Sequence, residues 1–299
     1  MKVLRNSLLL CTLILISWYS TACSSNQETQ DVPEFNGERA YQDIKFQLNL
    51  GPRVPGSEAH KLVGEWLVSE LEAMGWTVNL QTDKVQEHEI VNIIANRSLN
   101  GDLPWIIIGA HYDSRMYADR ENLIEEREKA VPGANDGASG VSVLLELARV
   151  LPQNMNSNIW LVFFDAEDQG NLPTWEWIMG SSSFAESLDD QPEAVVIVDM
   201  VGDSDLNIFV EQNSDQKLAQ DIWGIAAQLG FGEQFINHQK HRIVDDHLPF
   251  VQAGIPAVLI IDFDYPYWHT LDDTIDKVSP DSLKVVGDVV LTWLYSIYE

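Results

Sequence analysis

The sequence predicts an α/β fold, a mostly parallel sheet with helices on both faces. Two patterns predict it. Apolar runs of strand length alternate with segments of helical period, which sets strands side by side and lays helices over them. Several of those runs stop abruptly at His or Asp, so ligating side chains collect beyond strand ends, where open sheets form their ligand crevices.

Taken in order, Gly51–Ser57 is rich in turn residues and leads into a helix over Ala59–Met74. That helix carries apolar residues at Leu62, Val63, Trp66, Leu67, Leu71 and Met74 and ends at Gly75. Trp76–Leu80 and Ile90–Ala95 have strand character, and Trp105–Gly109 reads as a buried strand. Residues 115–132 form a polar loop too long for a connector and are expected at the rim of a site. Gly137–Val150 is a helix with Val141, Leu144, Leu145, Leu147 and Ala148 on its packing side. Trp160–Phe164, Ala194–Val198 and Leu206–Val210 are further strands, and Ala257–Ile261 is the last central one. Lys217–Leu229 and the stretch from Ser279 onward are helical. No repeat or low-complexity block interrupts this order.

The first residues read differently. Lys2 and Arg5 precede an apolar run from Leu8 to Trp18, the layout of a signal peptide and short for a bilayer span. Ser20-Thr21-Ala22 before Cys23 resembles a bacterial lipoprotein cleavage site, with Ser20 where Leu is usual. Cys11 falls inside the leader, so a mature chain keeps Cys23 alone and has no internal disulfide. The expected layout is a leader over 1–22, a lipidated tether over 23–33 and a single catalytic domain over 34–299, lipid-anchored outside the cytoplasm on a bacterial cell envelope. The net charge of −28 argues against nucleic acid or anionic lipid as partner, leaving the membrane to be reached only through the anchor.

The stretch that organises the chemistry is Leu161–Gln169, LVFFDAEDQ, where an apolar strand ends in Glu167 and Asp168. Adjacent residues leaving a strand point in different directions, so one carboxylate can hold a metal while its neighbour handles a proton. An isolated Glu-Asp pair is most often a solvated loop. Here His111 follows one strand, Asp199 another, and His269 lies in the loop after Ala257–Ile261, while Asp136 sits in the glycine-rich loop Pro132–Gly140 that enters a helix. Each alone is weak, since a lone His is usually packed or exposed and Asp136 could be a helix cap. Together they supply His and Asp ligands from separate loops, the pattern of a zinc site with open positions. His60 and His88 fall in segments read as surface and His238 and His241 in a polar stretch, while His247 reads as a brace for its loop.

The order HYDS, GANDGASG, FFDAED, VDMVG, DDHLPF and WHTLDD resembles the clan of zinc aminopeptidases and glutaminyl cyclases, from Gly51 to the end. The resemblance implies a three-layer αβα sandwich around a twisted, mostly parallel mixed sheet. Within the clan, DDHLPF at Asp245–Phe250 and YWHT at Tyr267–Thr270 are similar to glutaminyl cyclases, and GPRVPGS and AEDQG to the bacterial ones. Animal cyclases have Glu where Asp168 stands. The cyclase pattern implies one zinc held by Asp136, Asp168 and His269, with Glu167 as general acid/base and Asp199 and Asp245 in its acid network. It implies Trp268 as a pocket wall, with Trp175 a weaker candidate, and peptides with a free N-terminal glutamine as substrates. The alternative within the clan is a dizinc aminopeptidase, in which His111 and Asp199 hold a second zinc and Asp136 bridges the two. In the cyclase pattern His111 stands behind the ligands.

The lipoprotein reading makes a direct prediction. Cys23→Ser should release the protein from the membrane fraction of cells, whereas retention without detergent would contradict the anchor.

Overall fold

The computed structural model describes residues 32–97, 105–153 and 158–297. The expected leader, Cys23 and most of the tether lie outside the described residues. The strands are β1 (Thr77–Val85), β2 (His88–Asn96), β3 (Trp105–His111), β4 (Asn158–Phe164), β5 (Ala194–Asp199), β6 (Ile208–Glu211), β7 (Phe235–Lys240) and β8 (Ala257–Ile261). The helices are α1 (Gly37–Leu50), α2 (Glu58–Ala73), α3 (Ala138–Val150), α4 (Met179–Glu186), α5 (Gln216–Gln228), α6 (Leu248–Gln252) and α7 (Pro280–Ser296).

Six strands form the central sheet in the order β1-β2-β4-β3-β5-β8, while β6 and β7 pair separately. β4, β3, β5 and β8 are mutually parallel; β2 and β1 extend the sheet antiparallel at one edge. Strand residues alternate between two apolar cores, as side chains of a pleated strand must. Ile106, Ile108, Leu161, Val196 and Val258 enter one core, and Ile107, Val162, Val195, Ile197 and Leu259 the other. Covering the sheet on both faces is why these strands read as continuous apolar runs. α1, α3 and α7 pack together over the first face, and α4 and α6 over the second. This is the three-layer α/β architecture expected from the sequence.

The winding positions the site. The chain passes from β3 through α3 to β4, then returns to β5 on the other side of β3. The direction of winding thus reverses at β3, and the crevice beyond its carboxyl end is where a ligand site belongs.

Some elements differ from the expectations, each for a visible reason. The sequence reading missed α1 because its buried face is built from Ala40, Asp43, Ile44 and Gln47 and has little large apolar signal. Gln47 instead donates to the Ala138 carbonyl and to Ser142 Oγ. α4 is serine- and glycine-rich and α6 only five residues long, so neither carries a periodicity of its own. β7 buries only Phe235, and the strand expected at Leu206–Val210 pairs with it outside the main sheet. β1 continues to Val85, past the expected Leu80, as an exposed edge hairpin with β2. His60 is a correction: it is buried on the same stripe of α2 as Val63, Leu67 and Leu71, with Nε2 2.8 Å from Asp165 Oδ1. No helix among the described residues is long and apolar enough to cross a membrane.

α1 is held to α3 by charge. Glu146, wholly buried on α3, accepts from Arg39 Nε at 2.6 Å and from the Asn36 N–H at 3.1 Å, and Arg149 pairs with both Glu146 and Asp43. Removing a buried, charge-assisted acceptor leaves its donors short. Glu146→Ala should lower unfolding stability by about 2 kcal/mol in urea denaturation, with the midpoint shifting rather than the slope.

Candidate metal centre and active site

Each site residue is delivered by a defined piece of backbone. His111 and Asp199 are the last residues of β3 and β5, and Glu167 and Asp168 follow β4 by three and four residues. Asp136 lies just before α3, close to the helix N-terminus whose dipole favours a carboxylate. His269 comes from the loop after β8, in a left-handed conformation with φ of 59°.

Asp113 sets the acidic turn. Its buried carboxylate accepts from the N–H of Glu167 at 3.1 Å, from that of Asp168 at 3.3 Å and from Gln169 Nε2 at 2.9 Å. It also lies 3.3 Å from His111 Nδ1, which turns the other ring nitrogen toward the site. The Asp136 loop is clamped from two sides. Arg53, buried in the GPRVPGS turn, donates to the carbonyls of Tyr112, Pro132, Gly133 and Asp136. Asp273 accepts from the N–H groups of Asn135 and Asp136. A Cβ on Gly137 would stand 2.5 Å from the His111 carbonyl oxygen and 2.6 Å from its ring, so only glycine lets the loop approach β3 this closely.

The result is two overlapping groups of ligand atoms, each with its members within 4.8 Å of one another: Asp136, Asp168 and His269, and His111, Asp136 and Asp199. In the first, His269 Nε2 is 2.8 Å from Asp168 Oδ1 and 4.0 Å from Asp136 Oδ2. In the second, His111 Nε2 is 3.1 Å from both Asp136 Oδ1 and Asp199 Oδ1. Oδ2 of Asp136 and Oδ2 of Asp168 are buried without a hydrogen-bond partner among the described residues. Buried carboxylate oxygens are costly to leave bare, and these two belong to one ligand group. The donor set, imidazole with carboxylates, suits zinc or a similar first-row cation.

The charge balance points the same way. Burial, with Asp245 next, pushes the Glu167 carboxyl well above its ordinary range, and burial with Asp199 does the same to Asp245. Burial also raises Asp199. Asp168 is pushed up to about 6 by burial and by Asp136. Burial works against Asp136 as well, but the hydrogen bond and charge of His111 outweigh it and hold that carboxyl low. Burial disfavours charge on His269, yet Asp168 and Asp119 raise it to about 9. So many carboxyls around two imidazoles must share protons or take up a cation, and a bound cation would favour the ionised ligands.

Glu167 lines the pocket beside these groups without belonging to either of them. Asp245 reaches the same pocket from the loop before α6. That loop is braced as expected by His247, whose Nε2 is 3.1 Å from Glu211 Oε2 at the end of β6. Trp268 lines the pocket, its ring centroid 4.0 Å from that of His269. Trp175 does not reach it. Its ring stacks on His88, 3.5 Å away, over a separate groove. The second wall is Trp177, whose backbone pairs with Asp168 and whose ring stacks parallel to His269 at 6.1 Å. The sequence places both tryptophans in one loop, and only the backbone pairing with Asp168 distinguishes them. Gly170 makes room, since a Cβ there would fall about 2.0 Å from the Trp177 ring.

The expected rim loop enters the site through two residues the sequence reading did not single out. Asp119 Oδ1 is 2.9 Å from His269 Nδ1, and Arg115 Nη2 donates to Asp119 Oδ2 at 2.8 Å. Buried Arg115 also donates to the carbonyls of Asp168 and Gly170 and stacks on Trp177, at 4.9 Å from the ring centroid. With Nδ1–H given to Asp119, Nε2 of His269 is left free to bind a metal. Asp119→Ala should therefore weaken zinc binding roughly 10- to 100-fold in chelator competition, and unchanged affinity would show that His269 is oriented without it.

Tannerella forsythia glutaminyl cyclase superposes with a TM-score of 0.82 at 34% identity, covering 88% of this chain and 99% of that one. A structure described as a leucine aminopeptidase precursor from Bacteroides thetaiotaomicron gives 0.84 at 31% identity, covering 89% and 98%. Among curated sequences, a glutaminyl-peptide cyclotransferase of Drosophila melanogaster is 26% identical over 283 residues, 79% of this chain and 75% of that protein. The sequence pattern of peptidase family M28 matches residues 92–294, and the chain belongs to that family.

Proposed function

We propose that the chain is a zinc-dependent glutaminyl-peptide cyclotransferase, converting an N-terminal glutamine to pyroglutamate with release of ammonia. One observation carries the proposal: a small pocket, about 190 Å³, lined together by Glu167, Asp136, Asp168, Trp177 and Trp268. A cavity below the size of ordinary ligand pockets suits a single residue. The similarity to glutaminyl cyclases along nearly their whole length supports it.

Asp136, Asp168 and His269 would hold the ion. Zinc, when bound, supplies Lewis-acid polarisation of the γ-carboxamide carbonyl. The rest is the work of the chain. The aromatic walls hold the glutamine side chain folded back on its own α-amine, which is most of what ring closure needs, because nucleophile and electrophile belong to one residue. The amine nitrogen bonds to the side-chain carbonyl carbon, and the carbon–nitrogen bond of the carboxamide breaks. Glu167 takes the proton the amine loses and returns it to the departing nitrogen, which leaves as ammonia. No water is consumed. Burial and the charge of Asp245 raise the proton affinity of Glu167, which suits a group that must both accept and give a proton.

A second reading, a dizinc aminopeptidase, is favoured by one observation, the intact His111–Asp136–Asp199 group. Metal counting with an activity assay separates the two. The cyclase should hold about one zinc per chain after dialysis and release ammonia from N-terminal glutamine peptides. Two tightly held zincs, one lost in His111→Ala, would favour the aminopeptidase. The chain is also proposed to be lipid-anchored outside the cytoplasm, a reading supported by the sequence around Cys23.

Adjacent substitutions test the roles. Glu167→Gln should keep its zinc and lose turnover by ~10²-fold or more, with KM changed far less. Asp168→Asn should lose zinc and activity together, because it removes a charged ligand. The opposite pattern would reverse the two assignments.

A further inference from the structure

We infer that the site prefers peptides in which an acidic residue follows the N-terminal glutamine, read by Arg242 and Arg120; this rests on the cyclase reading. The pocket has room for one residue, so the next must lie at its mouth. Arg242 is the one basic residue lining the pocket, and it is exposed. Its Nε donates to Asn213 Oδ1 at 2.8 Å. Arg120, also exposed, lies over the Trp268 wall with its guanidinium carbon 4.5 Å from the ring centroid, and its backbone N–H donates to the His269 carbonyl.

The chain carries 46 acidic against 18 basic residues, so a guanidinium has many possible partners. Nearby cations have taken them: Lys240 and His241 pair with Asp264, Lys277 with Asp276 and Arg115 with Asp119. Among the described residues neither Arg120 nor Arg242 forms an ion pair. Glu121, beside Arg120, instead accepts from the Leu271 N–H at 2.8 Å. Arg242 lines the carboxylate-rich pocket and Arg120 stacks on its Trp268 wall, and guanidiniums without an ion pair present planar donors suited to a carboxylate. They also offset, locally, a bulk charge that would otherwise favour cationic peptides.

The test is the kcat/KM for ammonia release by the zinc-loaded protein from the peptide amides Gln-Glu-Ala, Gln-Ala-Ala and Gln-Lys-Ala. Gln-Glu-Ala should be preferred over Gln-Ala-Ala at low salt, and Gln-Lys-Ala disfavoured, with the differences shrinking as salt rises. Arg242→Gln and Arg120→Gln should each reduce the Glu-to-Ala ratio by roughly 2- to 5-fold, as expected of solvent-exposed charge pairs, and the double variant should abolish it. Both side chains are exposed, and a melting curve checks that each variant folds. If Gln-Ala-Ala is converted but the ratio is at or below one, or survives both substitutions, the inference is wrong and the cyclase reading stands. If no glutamine peptide releases ammonia, the cyclase reading fails and this inference with it.

Discussion

The site depends on one buried carboxylate that stands outside the pocket lining. Asp113, two residues past His111, accepts from the turn that carries Glu167 and Asp168 and lies against His111 Nδ1. It therefore joins the ends of two adjacent parallel strands and decides the direction of Glu167, Asp168 and the His111 imidazole at once. Burial opposes its charge, but the contacts to His111 and Gln169 hold its carboxyl below the usual range, so it remains an acceptor. Without that acceptor the N–H groups of the acidic turn would be buried and unmet, which such a tight turn cannot tolerate.

The constraint passed on from there is electrostatic. Asp136 presents one oxygen to His111 and the other, unpartnered, toward His269, so a single side chain belongs to both candidate ligand groups. Trp268 and Trp177 line the pocket together with Glu167 and Asp245. Arg115 links these layers, since it fixes the Asp168 carbonyl, the Asp119 carboxylate and the Trp177 ring together. Asp168 and the Trp177 wall are thereby tied to one guanidinium.

The sequence by itself determined the central sheet, since four strands buried on both faces must be nearly continuous apolar runs, and it placed Glu167, Asp168, Asp199 and His111 at or just past their ends. It also determined the family, through motif order. The tertiary structure alone decided which neighbours complete the site. Asp113, Arg53 and Asp273 stand inside or beside the recognised motifs, but their work is to accept from or donate to backbone brought close by folding. Asp119 meets His269 across 150 residues. Trp177 displaced Trp175 as the wall because pairing of its backbone with Asp168 turns it inward. Local sequence carries the periodicity of burial, which is a property of neighbours along the chain. Hydrogen-bond partners between loops are properties of the packed chain and leave no period to read.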